Sequence, residues 1–273
     1  MLYGEINKRG TNMDIFLVLG LIGGLVIVVA AMLEKGASVA ILLSLEALLV
    51  IIGGTIIALL NSFPKGEFVK LPKIFGVLFS SKGQQDPAEI IAQLVEMSQT
   101  TRRDGLLSLE STIQGLENKF MKKGLEMVVD GLEPDLIKEV LEIEIESMED
   151  RHRLGATAFT TAGGTAPTLG VLGAVIGLIG ALGNLNDIEK LGESISSAFV
   201  ATVYGIFTGY LIWHPFANRL KRKSQEEIKN MNIMLEGILA IQAGNNPKSI
   251  ERKLVGMLEP KQRIRFEENN NDK

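Results

Sequence analysis

Thr160, Thr161, Thr165 and Thr168 in one stretch, and Thr202 and Thr208 in another, stand among little else a reaction could use. The first stretch, Leu154 to Asn186, runs thirty-three residues without an ionisable side chain, yet it carries Pro167, eight glycines and five threonines. The second ends at Pro215. A hydroxyl among apolar neighbours either bonds back to a carbonyl one helical turn earlier or lines a wet crevice as an ion or carboxylate ligand. Each proline removes a helix donor and so frees a carbonyl, that of Gly163 or Leu211, as a further acceptor. These groups can pass an ion or hold a carboxylate, but they bring no charge of their own. A path for ions across lipid normally needs an ionisable group, so the acid is expected from another chain.

Other chemistries are poorly supplied. The chain has no cysteine, which excludes disulfides and thiolate sites, and its two histidines, His152 and His214, lack acidic companions at ligand spacing. No nucleophile–base pattern, P-loop or dinucleotide fingerprint occurs, so an enzyme is not expected. A net charge of −4 and the lack of a basic patch with interleaved aromatics argue against nucleic acid.

The elements that must carry these residues are membrane spans. Mean hydropathy is +0.23 and 46% of residues are hydrophobic. Four runs, Ile15 to Leu33, Ala47 to Pro64, a span within Leu154 to Asn186, and Ser194 to Trp213, are each long enough to cross about 30 Å of hydrocarbon as a helix. Glu46 interrupts a longer apolar run at the second of these and is placed at the outer interface. Of the 28 Lys and Arg, 26 fall on one side of this topology, which makes both termini and the long central loop cytoplasmic. The resulting order is an extension at 1–13, spans at 14–33 and 47–64 around an outer loop 34–46, and a cytoplasmic helical region 65–153. A span within 154–186, an outer loop 187–193, a span 194–215 and a helical tail 216–273 follow. Nineteen apolar residues exceed a signal-peptide core and no Ala-x-Ala site follows, so the first span is expected to stay. Met13 is an alternative start.

Small residues mark the last two spans. Gly170, Gly173, Gly177, Gly180 and Gly183 share one helix face, and Ser194, Ala198, Ala201, Gly205 and Gly209 form a similar stripe. In lipid such faces let backbones approach closely, so both are expected to receive another helix. In the central loop, Asp86, Pro87 and Glu89 announce a helix start, and Ile90, Ile91, Leu94, Val95 and Met97 follow. Leu106, Leu109, Ile113 and Leu116 continue beyond Gly105. A second start lies around Pro134, with Leu136, Val140, Ile143 and Ser147 on one face. The alternating run Leu141 to Glu146 could be a strand on its own, but it sits in a long stretch without turn signals that leads into the third span. One helix from cytoplasm into membrane is expected. The fold class is therefore an all-α integral membrane protein with four transmembrane helices, the third and fourth extending into a helical cytoplasmic domain.

Several motifs together resemble the MotA/PomA stator proteins of the bacterial flagellar motor. They are Ile52-Gly53-Gly54-Thr55, the run Arg102 to Glu110, Met148 to His152, Ala166-Pro167-Thr168-Leu169-Gly170, Ala201 to Gly205, and Gly237 to Gln242 with Asn246-Pro247. The resemblance covers Met13 to about Leu258. It implies five copies of such a chain around two copies of a single-span MotB-type partner whose aspartate carries the ion, and torque delivered to the rotor protein FliG. It further implies that Arg102 and Glu110 meet the rotor, and that Thr202, Pro167, Pro215 and Ala174 belong to the ion pathway. Gly170, Gly173, Gly177, Gly180, Ala198, Ala201 and Gly205 would pack against the partner. Ala174, where sodium-driven members have threonine, tilts the expectation to protons over sodium. On an unbroken helix Arg102 and Glu110 would lie about 12 Å apart along the axis and roughly 80° around it, with Gly105 the weak point. Rival readings are an ExbB/TolQ-like energiser, which has three spans, and a self-contained ion channel, which would want an intramembrane charge. Glu46 and residues 1–12 depart from the family pattern.

Overall fold

A computed structural model describes residues 15–36, 38–79 and 85–271. The expected extension at 1–13 and the alternative start at Met13 lie outside the described residues. Four stretches are long and apolar enough to cross a membrane: Ile15–Glu34, Val39–Ser62, Pro134–Leu182 and Ile188–Gln242. They are referred to as the first to fourth spans. No strand occurs among the described residues.

The chain divides into two compact units, Met1–Lys82 with His152–Arg222, and Gly83–Arg151 with Lys223–Lys273. In the first unit the spans keep large apolar faces uncovered. Phe16, Leu19, Val26 and Ile27 of the first span and Val171, Leu172, Val175 and Ile179 of the third are all exposed. In water that surface would be untenable, whereas in a bilayer it meets lipid or other chains at no hydrophobic cost. Packing inside the unit is concentrated where an amphipathic helix, Leu71–Phe79, meets the third and fourth spans around buried Leu78, Phe159 and Phe216.

Two spans depart from plain α-helix. The second starts with a 3₁₀ turn, Val39–Leu42, resumes as helix at Leu45 with Ser44 as its cap, and passes through a π-helical segment, Leu49–Gly53, before Gly54–Ser62. The fourth holds a longer π-helical segment, Phe207–Trp213, directly before His214 and Pro215. There the His214 N–H reaches back five residues to the Gly209 carbonyl. Counting five back from Pro215 falls on Tyr210. In that register Pro215 leaves the Tyr210 carbonyl without a donor, as four-residue counting leaves that of Leu211.

The second unit is a soluble-type helical core. Asp86 caps the helix Pro87–Asp104 by accepting the Ala88 N–H at 2.9 Å, with Pro87 at its first position. Ile90, Ile91, Leu94 and Met97 are buried from this helix, Met121 and Leu125 from Lys119–Val129, and Ile233 and Ile238 from the end of the fourth helix. Leu254 closes the core from Pro247–Val255. The stretch from Leu141 to Glu146 is helical, within Pro134–Leu182. Its buried face is Ile137, Leu141, Ile145 and Met148, whereas Leu136 and Ile143 are exposed. The face singled out from the sequence is thus the outward one.

Candidate functional site

The two small-residue stripes face each other. A methyl built on Gly177 would stand 2.7 Å from the Ala198 Cβ, and one on Gly173 2.7 Å from the Ala201 Cβ. On Gly170 it would lie 3.1 Å from the Ala201 carbonyl oxygen and 3.2 Å from the Gly205 Cα. On Gly205 it would lie 2.6 Å from the Ala166 carbonyl oxygen and 2.9 Å from the Gly170 Cα. The third and fourth spans therefore run backbone against backbone, as small faces permit. Gly170, Gly173, Gly177, Ala198, Ala201 and Gly205 are therefore used within the chain, one span against the other. Gly180 ends the series more loosely, with the Ser194 hydroxyl 3.6 Å from where its Cβ would be.

Both prolines sit at this seam. Pro167 lies inside the third helix and leaves the Gly163 carbonyl without its donor. Gly209 covers that carbonyl: a methyl there would meet the Gly163 oxygen at 2.9 Å and the Pro167 ring at 2.6 Å. The His214 ring lies over Gly163 itself, 2.9 Å from a Cβ position, and stacks obliquely on Tyr210 at 5.5 Å between centroids. Pro167, Gly163, Gly209 and His214 thus form one contiguous patch, with Pro215 next in the chain.

The hydroxyls mostly take the local option. Thr160, Thr165, Thr168, Thr202 and Thr208 donate to carbonyls four residues earlier, at 3.0, 2.8, 2.9, 3.3 and 2.7 Å. The Thr202 bond is the longest of the five, so its hydroxyl loses least by turning elsewhere. Thr202 is half-buried and its Cα borders Gly170; Ala174, also half-buried, lies one turn further along the third helix.

Arg102 and Glu110 are exposed, but not on one helix. The first helix of this region ends at Asp104, Gly105 takes φ +84°, a 3₁₀ turn covers Leu106–Leu109, and a short helix starts at Glu110. Only a residue without a Cβ accepts that backbone readily, so the spacing expected from a continuous helix does not apply. The neighbouring Arg103 is occupied by Asp104, its Nε at 3.0 Å and Nη2 at 2.8 Å. The pair holds the Arg103 guanidinium above and the Asp104 carboxyl below their usual pKa ranges, chiefly through that hydrogen bond. Of the two adjacent arginines, Arg102 is the one without an ion-pair partner among the described residues.

One set of contacts escaped the sequence. The Ser197 hydroxyl of the fourth span donates to the Glu46 carboxylate at 2.9 Å and lies 3.3 Å from the Ser44 hydroxyl, while the Tyr204 hydroxyl donates to the Leu42 carbonyl. Glu46 is therefore one end of a polar tie between the second and fourth spans. The signal was present in Ser44, two residues before a lone carboxylate in apolar surroundings.

Comparison with known proteins bears on what this arrangement serves. Residues 112–233 match the model of the MotA/TolQ/ExbB proton channel family. Motility protein A of Bacillus subtilis is 48% identical over 256 residues, spanning 94% of this chain and 95% of that protein. Chemotaxis protein PomA of Vibrio alginolyticus is 34% identical over 246 residues, 90% of this chain and 96% of PomA. The solved flagellar MotAB stator complex from Bacillus subtilis superposes with a TM-score of 0.86 at 48% identity, covering 91% of this chain and 98% of that one.

Proposed function

Since the chain belongs to the MotA/TolQ/ExbB proton channel family, on the side of motility protein A and PomA, we infer that it is a stator subunit of the bacterial flagellar motor. It is a membrane protein that assembles with a MotB-type partner, and the complex couples ion flow to torque. The observation that carries this reading is likeness over nearly the whole length of both chains, in sequence and in fold, to a MotAB stator.

The chain's own residues supply positioning rather than charge. A partner aspartate brought to mid-bilayer costs about 2.5–3.5 kcal/mol or more while charged, and one charge moved through 100 mV gains about 2.3 kcal/mol. The carboxylate is then neutral most of the time, or held by water and a hydroxyl. Thr202, with the longest back-bond of its set, is the group we assign to it. Pro167, Pro215 and Ala174 flank the route. The ion is the proton, sodium being less favoured by Ala174. Five copies surround two partners in the inner membrane, with both termini cytoplasmic, and Arg102 and Glu110 engage the FliG rotor.

The test is deletion of this chain in its source cell, with filaments counted and tethered cells tracked. Intact filaments that do not turn, restored by the normal chain, are expected. Normal rotation would overturn the reading.

A further inference from the structure

We propose that the first unit holds a site for one acyl chain of an anionic phospholipid. A cavity of about 460 Å³ lies among the second span, the Leu71–Phe79 helix and the third and fourth spans. That is within the roughly 300–1,000 Å³ of small-ligand sites. One wall is aromatic, Phe75 meeting Phe159 edge to face at 4.9 Å and Trp213 lying 6.0 Å from Phe159. The only hydroxyls on its lining belong to Thr55 and Thr208, and both are already bonded, to the Ile51 carbonyl at 2.6 Å and the Tyr204 carbonyl at 2.7 Å. Water needs two to four polar partners to stay in such a space. Two hydroxyls whose hydrogens are already committed can only accept, so the lining favours a hydrocarbon occupant over water.

The headgroup follows from the charges beside the lining. Leu71 and Pro72 line the cavity and are flanked by Lys70 and Lys73; Phe68 also lines it, in the same short helix as Lys65. All three lysines are exposed and none has a carboxylate partner among the described residues. Glu67 is the one acid in the segment 65–73, leaving an excess of two positive charges. An apolar cavity whose lining residues Leu71 and Pro72 adjoin exposed Lys70 and Lys73 in the chain matches a phosphodiester headgroup with a net negative charge, such as phosphatidylglycerol. The site requires only that the chain lie in a bilayer, and its test is independent of torque.

Trp213 is the chain's single tryptophan and lines the cavity, so it reports on the occupant. The full-length chain would be reconstituted in vesicles containing phosphatidylglycerol or phosphatidylcholine with brominated acyl chains, and quenching of Trp213 fluorescence measured. Brominated phosphatidylglycerol should compete about fivefold better, the equivalent of the ~1 kcal/mol that one lysine contributes near anionic headgroups. Lys70→Gln with Lys73→Gln should abolish that preference, and Ala162→Phe, which fills the cavity, should reduce quenching by both lipids. Equal quenching by the two headgroups would overturn the proposal. So would quenching unaltered by Ala162→Phe, or none from either lipid, the result if a second copy fills the space. Should Ala162→Phe fail to fold, the exposed lysines alone decide.

Discussion

At Gly205 a single methyl has nowhere to go: its nearest neighbours are a carbonyl oxygen at 2.6 Å and a glycine Cα at 2.9 Å, both backbone. Gly124 and Gly237 are equally crowded, but by the ends of Ile238 and Leu94, which can turn aside. Gly205→Ala should therefore destabilise the spans by about 1–3 kcal/mol or more, seen as lost yield and a lower melting temperature of the detergent-purified chain. Gly20→Ala, where nothing lies within 4 Å, should be neutral in the same assay. Equal behaviour of the two would sink the packing argument. The charged candidates test differently. Arg102→Glu and Glu110→Lys alter exposed side chains, so membrane levels should stay normal while swimming rings on soft agar shrink severely. Arg103→Glu only breaks a fully exposed pair with Asp104 and should have the milder effect; the opposite order would place the rotor contact on Arg103. Thr202→Val removes a hydroxyl without changing shape much. It should lower ion flow through the complex, measured as proton uptake into loaded cells, with expression unchanged.

At the scale of elements, the spans themselves were legible because an uninterrupted apolar run leaves few alternatives, and the Asp86-Pro87 start was legible because capping is local chemistry. Which face of a helix turns inward was less so. Leu136-Ile137 and Val140-Leu141 are adjacent apolar pairs, giving two overlapping stripes of equal periodicity, and only the core chose Ile137 and Leu141. The glycine stripes told that a backbone would come close but not whose, and the third and fourth spans turned out to satisfy each other. The π-helical segment at Phe207–Trp213 was invisible because register is not written in composition. Pro167 offers a prediction here. Pro167→Ala returns a donor to the Gly163 carbonyl and should stiffen the third helix, yet it removes the ring that packs on Gly209. Torque of tethered cells is expected to fall by more than yield does; unchanged torque would strip Pro167 of its role.

For the molecule as a whole, the exposed apolar helix faces and the uncharged run from Leu154 to Asn186 fit a chain completed by lipid and by other chains. The ion enters at this scale too. Motility of cells powered by this complex should stop with a protonophore and persist when sodium is replaced by potassium, and the reverse would move the assignment to sodium and leave Ala174 uninformative. The glycine seam has a last consequence, in heredity rather than energy. Because the atoms that exclude a side chain at Gly205 are main-chain atoms of Ala166 and Gly170, no replacement of a neighbouring side chain can make room for one. A genetic screen starting from Gly205→Ala should yield true revertants and almost no compensating second-site changes across the seam, so this position is one that lineages can keep but scarcely trade.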